Sequence, residues 1–163
     1  MKIKLPFGHS KRVVGEASIG IKASSKEVFS FIAENFFLNY PKWTPEIVAL
    51  ESLDGSTIFV GAKGRQVRED NGALVESLFE IVEYTPYSSF ILQGSNIPYR
   101  NTYLTAREDD DQTRLTFRFE LLDIELFMRP FEKLIRIAIE EGAENAVEKI
   151  KELVTIQCLQ RAS

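Results

Sequence analysis

The sequence predicts an α+β fold: a curved antiparallel sheet of seven strands wrapped round one long C-terminal helix, with a short helical insertion after the first strand. Three observations carry this expectation. Residues 46–121 alternate apolar and polar side chains with a period of two, broken at short intervals by turn-forming clusters. Residues 130–155 return to a helical period of about 3.6 and trace one apolar stripe. Ahead of both stands one further alternating strand and one capped amphipathic segment. Strands followed by a single long helix is an α+β order, in which the sheet must bury one face against the helix available to it. The whole chain, 1–163, reads as one domain with its core at 13–155 and with 1–12 and 156–163 as peripheral tails.

Residues 13–22 form the first predicted strand, with Val13, Gly15, Ala17, Ile19 and Ile21 on one face. Ser24 then suits a helix N-cap, its oxygen accepting the amide of Glu27, and Glu27 completes a capping box. Val28, Phe29, Phe31, Ile32 and Phe36 follow at helical spacing, and Pro41 predicts a stop before Asn39-Tyr40-Pro41. Turn signals at Asp54-Gly55-Ser56, Asp70-Asn71-Gly72, Thr85-Pro86, Ser95-Asn96 and Asp109-Asp110-Asp111 then divide the alternating region. The resulting strands are 46–53, 59–69, 73–84, 88–94, 98–108 and 113–122, and such short connections favour successive antiparallel pairing. In the last of them Leu115, Phe117, Phe119 and Leu121 define the core face, whereas neither face of 59–69 is apolar and its orientation stays open. Pro130 suits a first helical turn, and Phe131, Leu134, Ile135, Ala138, Ile139, Gly142, Ala146, Ile150, Leu153 and Val154 give the stripe of a helix about 39 Å long.

Composition narrows the function classes. The chain is 44% hydrophobic and 27% charged, which suits a packed core, and its net charge of −4 argues against a nucleic-acid partner. No uncharged apolar run of about 18 residues and no leader-type apolar segment is visible, so neither membrane spanning nor secretion is expected. Cys158 is the sole cysteine and can form no internal disulfide, which suits a cytoplasmic location. His, Cys and carboxylate spacing fits no metal pattern, and Gly61-x-x-Gly64 lacks the residues of a phosphate loop, so no metal and no cofactor is expected.

The run Ala23-Ser24-Ser25-Lys26-Glu27-Val28-Phe29-Ser30-Phe31-Ile32, then Asn39-Tyr40-Pro41-Lys42-Trp43, then the strands and the terminal helix, resembles the START-like or SRPBCC superfamily with its helix-grip fold. More narrowly it is similar to members described as polyketide cyclase/dehydrase or lipid-transport proteins. The likeness covers about residues 13–155 and lies in the order and distances of the elements. It implies an apolar pocket under the long helix that takes lipids, quinones, polyketides or other hydrophobes. It implies no reaction, because one fold hosts many functions.

On that expectation the cavity walls are Phe79, Ile81, Phe117, Phe119, Leu134, Ile135 and Ala138, and the polar groups are Arg65, Gln93, Tyr99, Asn101 and Tyr103. Tyr99, Asn101 and Tyr103 share one face of their strand, which is either the pocket face or an outer face of ordinary aromatic packing. Trp43 reads as a pocket-mouth residue or as a core anchor. The crowded apolar segment 121–131 reads as a gate, a membrane-surface foot, a patch for a protein partner, or a buried junction. The first function expected is binding or transport of a hydrophobic small molecule. A cyclase or dehydratase in which Tyr99, Tyr103 or Arg65 handles an enolate oxygen, and a protein-interaction module, are the alternatives. The only histidine, His9, lies in the polar N-terminal tail and offers the pocket no base.

Overall fold

The computed structural model describes residues 12–162, so His9 and nearly all of the expected N-terminal tail lie outside the described residues. The strands are β1 (Val13–Ile21), β2 (Ile47–Ser52), β3 (Lys63–Asp70), β4 (Ala73–Thr85), β5 (Ser89–Gly94), β6 (Tyr99–Asp109) and β7 (Gln112–Leu121). They form one seven-stranded antiparallel sheet in the order β1-β7-β6-β5-β4-β3-β2. The six strands after β1 make a continuous meander, as short turns dictate, and β1 returns to pair with β7 at the far edge. At the β3–β4 turn Asn71 and Gly72 have φ of 51° and 83°, the left-handed pair of a two-residue hairpin.

Between the two edge strands lie α1 (Ser25–Phe29), a π-helical turn (Ser30–Glu34) and α2 (Phe36–Trp43). Ser24 Oγ accepts the Glu27 amide at 3.2 Å, the expected cap. The helix does not stop before Pro41. The break falls earlier, at Asn35 (φ −107°, ψ 32°), and α2 starts afresh with Pro41 inside it. The buried Asn39 side chain donates to the Phe31 carbonyl at 2.9 Å and so ties α2 to the turn before it, which outweighs the local preference of the residue preceding a proline.

These helices cover much of the concave sheet face. Phe36 stacks on Tyr40 at 4.6 Å and meets Phe90 at 5.2 Å and Phe79 at 5.9 Å, while Phe29 meets Tyr84 edge-on at 5.5 Å. The expectation that a single helix must cover the sheet is corrected by this aromatic layer, because the insertion carries six aromatic side chains and α3 none.

After a 3-10 helix (Leu126–Phe131), α3 runs over Glu132–Ala162, 31 residues, well past the expected end at 155. It packs chiefly on β1 and β7. A methyl group on Gly15 would sit 2.7 Å from the Ile139 backbone, so the helix crosses β1 where the strand has no side chain. Ala143, Ala146, Val147, Ile150 and Val154 are buried there, so the expected stripe holds at Ala146, Ile150 and Val154, while Ala143 and Val147 join it and its early members Phe131, Leu134, Ala138 and Gly142 fall outside. Leu134 is 66% exposed, and Ala138 and Gly142 are exposed as well.

Candidate functional site on the concave sheet face

Register decides which side chains reach the interior. In β7 the buried Leu115 and Phe117 set the inner face, and β6 pairs Tyr103 with Phe117, Asn101 with Phe119 and Tyr99 with Leu121. Paired residues share a face, so Tyr99, Asn101 and Tyr103 all point inward, and each is 5% exposed or less. The two-residue turn at Asn71-Gly72 likewise pairs Gly64 with Phe79 and Gln66 with Ser77, which turns Gln66 and Ser77 inward. Both are buried. The Phe79 ring lies over Gly64 and the Tyr99 ring over Gly94, so two strand glycines act as seats for aromatic side chains.

The result is a polar cluster in an aromatic interior, formed by Gln66, Ser77, Tyr99 and Asn101 with Tyr40, Tyr103 and Trp43 beside them. Tyr103 Oη accepts the Trp43 indole N–H at 3.2 Å. Tyr99 stacks on Phe119 at 6.0 Å, and Tyr103 packs at a tilt against Phe117 at 4.8 Å. Gln66 Oε1, Tyr99 Oη and Asn101 Oδ1 are buried and have no hydrogen-bond partner. A buried polar atom without a partner costs about 1–3 kcal/mol, so this cluster is where the core is least satisfied by its own chain.

The phenols are held neutral. Burial pushes Tyr40 and Tyr103 well above the ordinary tyrosine range; the nearby Tyr99 hydroxyl adds to this at Tyr40, while Arg68 and an Asn101 hydrogen bond act the other way. Burial also raises Tyr99, against the Ser77 hydroxyl and the Arg68 charge. The Ser77 hydroxyl stands close enough to favour a Tyr99 phenolate without completing a hydrogen bond. Each phenol therefore enters any interaction as a neutral O–H.

The sequence-predicted residues divide cleanly by position. Phe79, Ile81, Phe117, Tyr99, Asn101 and Tyr103 are buried on the inner face and Phe119 is half-buried on it. Arg65 and Gln93 lie on the outer face, because they alternate with the inward Gly64, Gln66 and Leu92. There Arg65 is paired with Glu76 at 2.9 Å and Glu51 at 3.8 Å, and Gln93 accepts from Arg100 at 3.1 and 3.2 Å. Ile135 is half-buried on α3, and Leu134 and Ala138 face solvent. Trp43 is a core residue, 4% exposed. Gln66, Ser77 and Tyr40 belong to the cluster although the sequence did not single them out; the turn-fixed register at Asn71-Gly72 carries the signal for the first two.

Two surface concavities lie elsewhere. One of about 470 Å³ opens between α1, the π turn and the last turns of α3, lined by Glu27, Glu34, Gln157 and Arg161 among others. Beside it the Cys158 thiol donates to Glu27 Oε2 at 2.9 Å, and burial together with that carboxylate pushes its pKa up to about 11, so it is no nucleophile. The other, about 440 Å³, is on the outer face around Gln93, Arg100 and Glu120. Among the described residues no three His, Cys, Asp or Glu side chains converge as metal ligands, and no helix is long and apolar enough to cross a membrane.

The 3-10 helix and the start of α3 expose Leu126, Phe127, Phe131 and Leu134, at 66%, 70%, 51% and 66%. This apolar surface begins five residues beyond Leu121, the β7 partner of Tyr99, and so lies at the end of the sheet that holds the unsatisfied cluster.

A family model described as polyketide cyclase / dehydrase and lipid transport matches residues 12–155. No curated protein matches significantly. Among solved structures the chain is similar to the Zhui aromatase/cyclase from Streptomyces sp. R1128, with a TM-score of 0.72 at 11% identity over 89% of this chain and 94% of that one. Norcoclaurine synthase from Thalictrum flavum aligns with a TM-score of 0.68 at 14% identity over 92% and 98%. A protein of unknown function from Staphylococcus aureus aligns at 0.72 and 15% identity over 92% and 98%. At these identities the likeness is one of fold.

Proposed function

The chain belongs to the polyketide cyclase / dehydrase and lipid transport family, and from that premise we propose that it is a cytoplasmic binding or carrier protein for a hydrophobic small molecule. The observation that carries this reading is the group of three buried polar atoms, on Gln66, Tyr99 and Asn101, left without partners in an aromatic interior. A pocket for an apolar ligand combines apolar walls with a few polar groups that fix orientation, and these atoms have that character. The inner face supplies Phe79, Phe117 and Phe119 as walls, and the exposed apolar residues from Leu126 to Leu134 supply the approach at the same end of the sheet.

Binding is favoured over a cyclase or dehydratase by the chemistry of the cluster. Its described members are phenols, carboxamides, a hydroxyl and an indole, and none of the buried side chains on this face is a carboxylate or an imidazole. Neutral phenols can hold a ligand oxygen, but moving a carbon-bound proton also needs a base tuned towards the working pH.

The test is to purify the protein without denaturation, extract it with organic solvent and analyse the extract by mass spectrometry. A hydrophobe recovered in stoichiometric amount, and lost from a Tyr99→Phe/Asn101→Leu double variant that keeps its near-UV circular dichroism, supports the carrier reading. A blank extract from folded protein that also binds none of a panel of lipids, quinones and polyketide-like compounds defeats it.

A further inference from the structure

We infer that the interior cluster selects an uncharged ligand head that donates a hydrogen bond, an alcohol or a phenol, in preference to a carboxylate. The inference rests on the binding reading above and names the class of ligand for that same site.

The unsatisfied atoms set the polarity. Two of the three are carboxamide oxygens, Gln66 Oε1 and Asn101 Oδ1, which only accept, and the third is a phenol oxygen, Tyr99 Oη, which donates or accepts. They belong to one patch. Gln66 and Ser77 are direct cross-strand partners, Ser77 stands beside the Tyr99 oxygen, and Tyr99 and Asn101 are neighbours on the inner face of β6. Tyr40 lies within electrostatic reach of Tyr99 and beside Asn101, whose buried Oδ1 has no donor of its own.

A ligand hydroxyl matches this set, since it can donate to a carboxamide oxygen while accepting from Tyr99. A carboxylate brings lone pairs only and would face two carbonyl oxygens. Glu46 adds a further negative charge within reach of Tyr40. The cation acting on Tyr40 and Tyr99 is Arg68, on the same face of β3 as Gln66, and this half-buried side chain already has Asp70 at 3.7 Å. An ionised head buried here would lose its hydration and would have to compete with Asp70 for that one charge, which disfavours it. An ether head of the same length keeps the apolar contacts and the bond from Tyr99 but offers nothing to the two carboxamide oxygens.

The sole tryptophan provides the readout, because Trp43 is buried beside the cluster and bonded to Tyr103. Trp43 emission is titrated with three probes of one chain length: decan-1-ol, decanoate and 1-methoxynonane. Decan-1-ol is expected to bind about tenfold tighter than either of the others, a difference of one to two buried hydrogen bonds. Gln66→Met and Asn101→Leu, in variants whose near-UV circular dichroism matches the parent, are each expected to shrink that preference to about twofold or less. Equal or tighter binding of decanoate, or a preference for the alcohol that survives both substitutions, overturns this inference and leaves the carrier reading standing. If none of the three probes moves Trp43 emission, the inference falls, and the solvent extraction above decides the carrier reading by itself.

Discussion

Tyr99 and Tyr103 stand on the same face of β6 and are both buried, yet their hydroxyls are in opposite situations. Tyr103 accepts the Trp43 N–H, whereas Tyr99 has no partner. Tyr103→Phe is therefore expected to lower stability by about 1 kcal/mol through an orphaned indole N–H, and Tyr99→Phe to leave stability unchanged or raise it by up to about 1 kcal/mol. Urea midpoints at constant slope measure both. Equal losses for the two would mean that Tyr99 is satisfied in solution. A variant that gains stability while losing ligand would mark Tyr99 as a residue kept for function at the expense of the fold. The inward direction of these tyrosines was legible in principle. Alternation shows only that residues share a face; the pairing across the Asp109–Asp111 turn with the unambiguous Phe117 face shows which face it is. Arg65 and Gln93 were misread for the converse reason: polarity draws attention to a residue, but only its phase against a known neighbour tells inside from outside.

At the scale of elements, two glycines make opposite predictions. Gly15 meets the Ile139 backbone, and nothing flexible lies there to yield. Gly15→Ala is expected to cost about 1–3 kcal/mol and to push α3 off β1. Gly142, on the same helix, has no heavy atom within 4 Å of where a Cβ would stand, so Gly142→Ala is expected to stabilise by about 0.5–1 kcal/mol through helix propensity alone. Thermal or urea unfolding of the two variants checks the pair. A neutral Gly15→Ala would mean that α3 is not seated on β1. The existence of α3 was plain from its period, but its rotation was not. Apolar residues occupy two adjacent rows, Leu134 and Ala138 beside Ile135 and Ile139, and periodicity cannot choose between them. The choice is made by a gap in another element, at Gly15. Pro41 teaches the same lesson, since a local preference gave way to the Asn39 bond across the helix break.

The molecule as a whole should lose stability in alkali. Tyr40, Tyr99 and Tyr103 keep their protons in the folded state beyond the ordinary tyrosine range, while the unfolded chain releases them near about pH 10. Above that pH the folded state holds more protons than the unfolded one, so stability from these groups is intact below about pH 10 and falls as pH rises towards the folded values. Melting temperature measured from pH 8 to 12 should drop past about pH 10, with phenolate absorbance from the buried tyrosines appearing together with loss of structure. Gradual ionisation of all five tyrosines in a folded protein would contradict it. The sheet order adds a temporal consequence. β2 to β7 can pair hairpin by hairpin as the chain leaves the ribosome, but β1, made first, finds its partner in residues 113–121. Until β7 is translated, β1 waits unpaired, and α3, which seats on both, can close the fold only after that wait ends.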